Sequence, residues 1–319
     1  MTTAGHPMEL QDIPIPDAAP GWVVLRVKAA GLCHSDLHIL DGSMTHTMST
    51  DEGELLSTTA PITLGHEIAG TVFELGDGVP NHFAIGDRVI SGGPIIPRAT
   101  PGLTIDGGFA EYVTVPHEKL QPIPEGVGFD EAAVSTDSIA TAYSAVRTTA
   151  EVRTGETVAI VGLGGLGLNG VRTAALLGGT VYGVDVNPLT FDAARDAGAV
   201  ECFAKLESLR DLQPDVIVDF AGTGSTTEQA LDVVRSGGRV VVVGMAATAT
   251  TIDMHRLILR RQTLRGSFGR TATDMAEVLD LLAQGQLQPE TTVVDLADLN
   301  EAYARLERGE VVGRLVTHP

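Results

Sequence analysis

The sequence predicts an α/β protein in which a β-rich first part precedes a doubly wound parallel sheet. Two observations support this fold class. Before residue 157, segments with apolar residues at partly alternating positions are separated by glycine-containing turns. From Thr157 onward, short apolar runs alternate with helix-like segments, which is typical of a parallel sheet covered by helices on both faces.

Three segments of the first part are predicted to be strands. Trp22–Ala30 shows a partial alternation of apolar and polar residues, and Glu67–Leu75 and Gly108–Pro116 show a similar pattern. Two further stretches, Ser43–Ala60 and Ser91–Asp106, have no clear period and are predicted to be long loops. Such loops either form the walls of a functional pocket or are variable surface segments, and the sequence leaves both interpretations open.

The second part is predicted to contain four strands with helices between them, followed by one more helix and a short strand. Its first four strands are nearly continuous in apolar residues, as expected for strands buried on both faces. The predicted strands are Thr157–Val161, Thr180–Val186, Val216–Phe220, Arg239–Gly244 and Gly313–Thr317, and the predicted helices are Gly165–Leu177, Pro188–Gly198, Thr226–Arg235 and Asp298–Arg308.

Composition limits the partners and the compartment. The 319 residues carry a formal net charge of −20, which would repel nucleic acid and anionic membranes, so neither is expected as a partner. No apolar run reaches the length of a membrane span, about 18 residues, and the first residues do not resemble a signal peptide. Because only Cys33 and Cys202 are present, a disulfide framework is excluded and a cytoplasmic location is expected.

A glycine-rich segment at the start of the second part predicts a dinucleotide site. Gly162, Gly164 and Gly167 form a G-x-G-x-x-G pattern that follows a predicted strand and begins a predicted helix. The first glycine permits a tight turn, the second lets the backbone approach a pyrophosphate, and the third allows close packing of helix and strand. A glycine-rich turn without a ligand is the alternative interpretation, and the agreement of strand, helix and a later acidic residue argues against it.

That acidic residue also favours one cofactor over another. Asp185 ends the next predicted strand, where its carboxylate would accept hydrogen bonds from the hydroxyl groups of the adenosine ribose. A 2′-phosphate would meet the same negative charge, and residues 186–190 contain no lysine or arginine to offset it. The sequence therefore favours NAD over NADP.

Two short segments of the first part carry potential metal ligands. Cys33 and His66 offer the sulfur and nitrogen atoms that Zn²⁺ prefers, and Glu67 adds a carboxylate. Ser35 and His38 follow closely behind Cys33. Taken singly, a cysteine is more often a small buried hydrophobic residue, and a lone histidine is more often part of the core. The distance between the two segments along the chain does not by itself establish a metal site.

The order of these motifs resembles that of the zinc-dependent medium-chain alcohol dehydrogenases. The motifs are Gly31–Gly42, Gly65-His66-Glu67, Gly86-Asp87-Arg88-Val89, Gly107–Tyr112 and the glycine-rich segment, and together they cover nearly the whole chain. The resemblance implies a GroES-like β-barrel catalytic domain, residues 1–124 and 286–319, and a Rossmann domain, residues 125–285. It also implies an active site in the cleft between the domains and a homo-oligomer, either a dimer or a tetramer.

The resemblance further implies roles for individual residues. Cys33 and His66 match the first two catalytic zinc ligands, and Glu67 matches a nearby carboxylate that can approach the metal. Ser35 matches the hydroxyl that takes the substrate proton, and His38 matches the imidazole that passes it to solvent. Thr141 would pack on the nicotinamide and Arg314 would meet the pyrophosphate, so the predicted cofactor contacts are Gly162, Gly164, Gly165, Gly167, Asp185, Thr141, Val243 and Arg314.

The third zinc ligand departs from the usual family pattern. Relatives carry a cysteine six residues before the tyrosine of a Thr-Ala-Tyr segment, and counting back from Tyr143 gives Asp137. Asp137 is therefore predicted to complete the ligand set, with Asp36 as an acid that orients the site. Because carboxylate is a harder ligand than thiolate, we expect a more Lewis-acidic but more easily lost metal. The alternatives are that Asp137 contacts the zinc through a water molecule, or that the site holds no zinc.

A second departure concerns a structural zinc. Between Val89 and Gly107 the family often carries a lobe with four cysteines, and this chain has no cysteine there. One catalytic zinc ion and no structural zinc are therefore expected.

These observations favour an enzyme that transfers a hydride between an alcohol, or its aldehyde or ketone, and NAD. A zinc-independent quinone or enoyl reductase of the same superfamily is one alternative, although it would lack the ligand set and usually prefers NADPH. A catalytically silent NAD-binding protein is another. Zinc content and a panel of alcohols with NAD⁺ would separate the three functions.

Overall fold

In the computed structural model, the residues described are 5–42, 48–50, 53–56, 61–93 and 99–319. The chain forms two compact units, with Met1–Asp137 and Met275–Pro319 in unit 1 and Ser138–Asp274 in unit 2. The predicted domain boundaries at residues 125 and 285 stay predictions. The predicted loops Ser43–Ala60 and Ser91–Asp106 lie partly outside the described residues.

The helices and strands have the following bounds. The strands are β1 (Trp22–Gly31), β2 (Met48–Thr50), β3 (Gly53–Leu56), β4 (Glu67–Leu75), β5 (Arg88–Ser91), β6 (Tyr112–Pro116), β7 (Leu120–Pro122), β8 (Thr157–Val161), β9 (Thr180–Val184), β10 (Ala199–Phe203), β11 (Val216–Asp219), β12 (Arg239–Val242), β13 (Thr263–Gly266), β14 (Thr291–Val294) and β15 (Arg314–Thr317). The α-helices are α1 (His34–Leu40), α2 (Phe129–Val134), α3 (Ala140–Tyr143), α4 (Gly165–Leu176), α5 (Phe191–Asp196), α6 (Ser225–Val233), α7 (Met254–Leu259), α8 (Ala272–Ala283) and α9 (Leu299–Glu307), and π-helical turns span Ser135–Ile139 and Ser144–Thr149.

The main sheet of unit 1 is arranged around β1. This strand pairs antiparallel with β4 over most of its length, with β6 along its first half and with β15 at its last two residues. Most residues of β1 are buried because partners cover it on both edges and core side chains cover its faces. The register places Gly31, the last residue of β1, opposite Glu67 of β4 and Val316 of β15. The carboxyl end of β1 therefore lies beside the first residue of β4.

Unit 2 contains a six-stranded sheet in which every pair of neighbours is parallel. Its spatial order is β10-β9-β8-β11-β12-β13, which is 3-2-1-4-5-6 when the strands are numbered along the unit. That order is typical of doubly wound sheets built from two halves. The prediction of a doubly wound parallel sheet is therefore confirmed.

Several elements differ from the prediction at the edges of the sheets. Strand β10 lies at one edge, and its residue Val200 is 63% exposed, so its side chains lack the continuous apolar pattern of the central strands. Strand β14 is likewise an edge strand with an exposed residue, Val293. The segment predicted as one helix from Pro188 begins with a tight turn, because the Asn187 side chain accepts the N–H of Leu189, and α5 follows.

Two further features concern membrane-spanning helices and cysteines. In the part of the chain that the structure describes, no helix is both long enough and apolar enough to cross a membrane. Cys33 and Cys202 are buried free thiols.

Candidate functional site

The start of helix α1 fixes an acid beside the first predicted ligand. Cys33 is the residue before the helix, and Asp36 is the third residue within it. One carboxylate oxygen of Asp36, Oδ2, accepts the backbone N–H of Cys33 at 3.0 Å, and the N–H of Asp36 donates to the carbonyl of Cys33. An acid at this helix position satisfies a backbone N–H that the helix leaves without a partner. Helix capping therefore holds Asp36, which is fully buried, next to Cys33.

The other carboxylate oxygen of Asp36 lies against the second predicted ligand. Asp36 Oδ1 is 3.3 Å from His66 Nδ1, while His66 Nε2 lies 3.7 Å from Asp137 Oδ2. Burial disfavours a charged ring, but the charge of Asp36 and hydrogen bonds with Asp137, Asp36 and Cys33 outweigh it and raise the pKa of His66 well above its usual value. The carboxylates around His66 therefore stabilise positive charge on its ring.

The structure brings the three predicted ligands and Glu67 into one cluster. One ligand atom from each of Cys33, His66, Glu67 and Asp137 can be chosen so that all four atoms lie within 4.8 Å of one another. Within the cluster, Cys33 Sγ and Asp137 Oδ2 are 3.5 Å apart. Sulfur, imidazole nitrogen and carboxylate oxygen are the ligand types of Zn²⁺, whereas Mg²⁺ and Ca²⁺ prefer oxygen alone. The donor set therefore fits a zinc ion.

A buried arginine contacts two carboxylates of this cluster. Arg314, the first residue of β15, forms a two-point ion pair with Glu67, in which its Nε lies 3.1 Å from Glu67 Oε2 and its Nη2 contacts Oε1. The same Nη2 is 3.3 Å from Asp137 Oδ2. Burial raises the pKa of Glu67, and the guanidinium opposes that shift. The contact of Arg314 with the pyrophosphate, which the family resemblance implies, stays a prediction.

Tyr303 is a residue of the site that no sequence motif indicated. Its hydroxyl donates to Asp36 Oδ2 at 2.7 Å, and its side chain is almost fully buried. Burial and the negative charge of Asp36 raise the pKa of Tyr303 well above its usual value, so the hydroxyl keeps its proton and acts as a donor. The only signal in the sequence is a polar group on the buried face of the amphipathic helix α9, beside Leu299 and Leu306.

Ser35 and His38, predicted to relay a proton, lie on helix α1. Ser35 Oγ is 3.6 Å from Cys33 Sγ. His38 lies three residues further along the helix, and positions three apart are neighbours on one helix face. The side chain of His38 is 36% exposed, and its Nδ1 is 3.9 Å from a carboxylate oxygen of Asp41. The serine thus lies at the cluster and the histidine closer to solvent.

The glycine-rich segment of unit 2 has the geometry expected of a dinucleotide loop. Gly162 has a φ of +82°, a value that favours glycine. A Cβ at Gly167 would overlap the carbonyl of Gly162, so the close packing of α4 on the loop requires glycine at this position. Gly164 precedes α4, and a Cβ there would have open space around it. Gly165 is the first residue of the helix, whose free N–H groups suit a bound anion.

The other predicted cofactor residues also belong to unit 2, except Arg314. Asp185 follows β9, where its carboxylate accepts the N–H of Leu163 at 2.6 Å and that of Asn187 at 2.8 Å. Its charge is thereby held at the edge of the glycine-rich loop. Val243 directly follows β12, and Thr141 is buried within α3.

Comparisons with known proteins agree with both units. Residues 19–125 match the alcohol dehydrogenase GroES-like domain family, and residues 165–284 match the zinc-binding dehydrogenase family. An NAD-dependent alcohol dehydrogenase of Sulfurisphaera tokodaii is 30% identical over 346 residues, covering 99% of this chain and 97% of the relative. The chain belongs to the zinc-type alcohol dehydrogenase family. Another relative, an alcohol dehydrogenase of Geobacillus stearothermophilus, is 29% identical and covers 97% of this chain and 95% of its own length.

Solved structures of family members share the fold of this chain. The acetophenone reductase of Geotrichum candidum in complex with NAD has a TM-score of 0.87 at 33% identity, covering 98% of this chain and 93% of its own. The alcohol dehydrogenase of Aeropyrum pernix has a TM-score of 0.89 at 29% identity, covering 100% and 98%. The predicted fold class, a GroES-like domain with a Rossmann-type parallel sheet, is confirmed.

Proposed function

We propose that this protein is a zinc-dependent oxidoreductase that transfers a hydride between NAD and an alcohol or its aldehyde or ketone. The observation that supports the proposal most directly is the cluster of Cys33, His66 and Asp137, whose ligand atoms lie within 4.8 Å of one another. Membership of the zinc-type alcohol dehydrogenase family supports the reaction class. The cluster rests on the geometry of the described residues, and the reaction class rests on the family.

Cys33, His66 and Asp137 would hold one zinc ion, with Glu67 as an additional nearby carboxylate. When bound, zinc supplies Lewis acidity that lowers the pKa of an alcohol hydroxyl group. Three protein ligands leave one coordination position for the substrate, as in other catalytic zinc sites. We propose no structural zinc, because residues 90–106 contain no cysteine to hold one.

The surrounding side chains orient the ligands and move the proton. Asp36 contacts Nδ1 of His66, which leaves Nε2 for the metal. Oxidation of an alcohol removes one proton from oxygen and one hydride from carbon. NAD⁺ supplies the hydride acceptor. Ser35 would relay the proton, since its Oγ would accept it as the serine's own hydroxyl proton passes on, and the half-exposed His38 would release a proton to solvent.

The glycine-rich loop and its neighbours would hold NAD. The backbone at the N-terminus of α4 suits the pyrophosphate, and the carboxylate of Asp185 suits a ribose diol but repels a 2′-phosphate. We therefore propose NAD as the working cofactor. The proposed contacts are Gly162, Gly164, Gly165, Gly167, Asp185, Thr141, Val243 and Arg314.

Compartment and assembly are part of the same proposal. Two free thiols and no other cysteine fit a reducing cytoplasm. Strand β13, Thr263–Gly266, lies at the edge of the unit 2 sheet opposite β10. Pairing of this edge with a second copy would produce a dimer, which a further contact would extend to a tetramer.

The test is a turnover assay with NAD⁺ and a panel of primary alcohols, secondary alcohols and polyols. We expect oxidation of at least one class by the wild-type protein. His66→Ala should reduce turnover by roughly three orders of magnitude, because it removes a ligand of the catalytic metal, while NADH binding followed by fluorescence stays unchanged. His82→Ala, in an exposed turn, serves as the matched control.

Two results would contradict the proposal. Unchanged turnover in His66→Ala would exclude a role of the cluster in the reaction. Reduction of quinones or enoyl compounds with NADPH, without any alcohol oxidation, would favour a zinc-independent reductase.

A further inference from the structure

The carboxylate of Asp36 connects two predicted zinc ligands, Cys33 and His66, to a helix that is distant in the sequence. Asp36 Oδ2 accepts the backbone N–H of Cys33 at 3.0 Å and the hydroxyl of Tyr303 at 2.7 Å. Asp36 Oδ1 lies 3.3 Å from Nδ1 of His66. Tyr303 comes from α9, 267 residues later in the sequence. The Asp36 carboxylate therefore has one partner on each of two predicted zinc ligands and a third partner on α9.

The burial of these groups makes the tyrosine hydroxyl important for Asp36. Asp36 is fully buried and Tyr303 is 2% exposed. A buried carboxylate depends on hydrogen-bond donors, since a charge without donors in a protein interior is strongly unfavourable. A hydrogen bond to an ionised acceptor is stronger than a hydrogen bond between two neutral groups, and it fixes both the direction and the distance of the contact. Loss of the Tyr303 hydroxyl would leave the Cys33 N–H as the donor to Oδ2, so the carboxylate would be held less firmly against His66.

The ring of Tyr303 is itself held in place by packing. Phe109 contacts it edge to face, with 6.2 Å between the ring centroids, and Leu299, Ala302 and Leu306 share the buried face of α9. The direction of the hydroxyl is therefore determined by the core of unit 1. A phenylalanine would keep all of this ring packing and would lack only the donor.

We propose that Tyr303 is a positioning residue of the metal centre, which acts through Asp36 to hold His66 and Cys33 in the geometry that binds zinc. The inference rests on the proposed function, because it assumes that these two residues are ligands. It goes beyond that function by assigning a role to a residue whose hydroxyl bonds to Asp36 rather than to a predicted metal ligand.

The test compares zinc affinity in Tyr303→Phe and wild type by competition with a chromophoric chelator. Residues that directly contact a ligand typically change metal affinity about 10- to 100-fold when replaced. Because Tyr303 acts one contact further away, we expect affinity to weaken by about 3- to 10-fold and zinc release to the chelator to accelerate. Tyr112→Phe is the matched control, since Tyr112 lies in β6 and packs on Phe73. Its zinc affinity should equal that of wild type.

A double-mutant cycle with Asp36→Asn tests the route of the effect. If Tyr303 acts through Asp36, Tyr303→Phe should change zinc affinity by less than about 2-fold in the Asp36→Asn background. Full additivity of the two changes would overturn the proposal. Should Asp36→Asn fail to fold, the visible spectrum of cobalt-loaded Tyr303→Phe provides the second readout. An unchanged cobalt spectrum would overturn the proposal, and a shifted one would support it.

The outcomes distinguish this inference from the proposed function. If wild type binds zinc and Tyr303→Phe binds it with the same affinity, only the role of Tyr303 is overturned. This holds even if the variant unfolds at a lower temperature. Absence of zinc binding in the wild-type protein would overturn both.

Discussion

Gly31 and Glu67 are cross-strand partners, and the missing side chain of Gly31 provides the space that the Glu67 carboxylate occupies. This relationship places a fully buried acid beside the cluster of Cys33, His66 and Asp137. A two-point contact with Arg314 then offsets its charge. The geometry of the candidate site thus depends on strand register in unit 1 as much as on the ligands themselves.

Gly31→Ala should destabilise the protein and weaken metal retention. A Cβ at this position would overlap Glu67 Oε2, and the displaced carboxylate would lose its contact with Arg314. Disruption of a buried ion pair costs about 3–5 kcal/mol, which chemical denaturation can measure. Gly266→Ala is the matched control, because a Cβ there meets open space. Equal stability of Gly31→Ala and wild type would contradict the close packing described.

Glu67 and Arg314 should be strongly coupled in a double-mutant cycle. Arg314→Gln leaves Glu67 buried without its cation, so we expect a loss of about 3–5 kcal/mol in the free energy of unfolding. Glu67→Gln combined with Arg314→Gln removes both charges and should recover a large part of that loss. Denaturation of the two single variants and the double variant measures the coupling. Additive losses would show that the pair does not act as a unit.

Asp185→Asn should relax the preference for NAD. The change removes the negative charge that a 2′-phosphate would meet but keeps the size of the side chain. We expect the ratio of kcat/KM with NAD⁺ to kcat/KM with NADP⁺ to fall roughly 10-fold, as loss of one repulsive charge contact predicts. Asp192→Asn, at a highly exposed position of α5, should leave the ratio unchanged. An unaltered ratio in Asp185→Asn would show that residues other than Asp185 determine the cofactor preference.

Asp215 should make stability depend on pH in the acidic range. Burial disfavours its charge, but hydrogen bonds from the Thr157 N–H and the Arg235 guanidinium outweigh burial and lower the pKa of Asp215. A carboxyl group with a lowered pKa stabilises the fold above the pKa of the unfolded chain, about 3.9, and this contribution is lost as the pH falls through the folded-state pKa.

The comparison that checks this dependence is wild type against Asp215→Asn. We expect wild type to be more stable by about 1–2 kcal/mol near neutral pH, where the carboxylate is ionised. The difference should shrink below about pH 4, as the carboxyl group takes up a proton. A difference that is the same at pH 7 and pH 3 would show that the ionised form of Asp215 contributes no stability.

Local sequence patterns were enough to predict most of the fold. The central strands of unit 2 could be predicted because burial on both faces demands continuous apolar runs, as in Val216–Asp219. Edge strands could not, because exposed residues such as Val200 and Val293 interrupt that pattern. The glycine-rich loop was identifiable because its backbone geometry restricts the residue type, as the positive φ of Gly162 illustrates.

The candidate site could be predicted only in part. Short motifs indicate some of its residues, but other contacts depend on how distant segments of the chain pair. Cys33, His66 and Asp137 were found from short motifs and one fixed offset, and the structure brings them together. The contact of Arg314 with Glu67 depends on the pairing of β1 with β4 and β15, which no local pattern specifies. The role of Tyr303 could not be predicted, because in the sequence a tyrosine on the apolar face of a helix looks the same as an ordinary core residue.

Elemental analysis of the purified protein tests whether Cys33, His66 and Asp137 together hold a zinc ion. We expect one zinc ion per chain in wild type. We expect well below one in Asp137→Ala after dialysis against a chelator, with the fold retained by circular dichroism. A wild-type protein without zinc, or an Asp137→Ala variant that keeps a full zinc ion under the same dialysis, would contradict it.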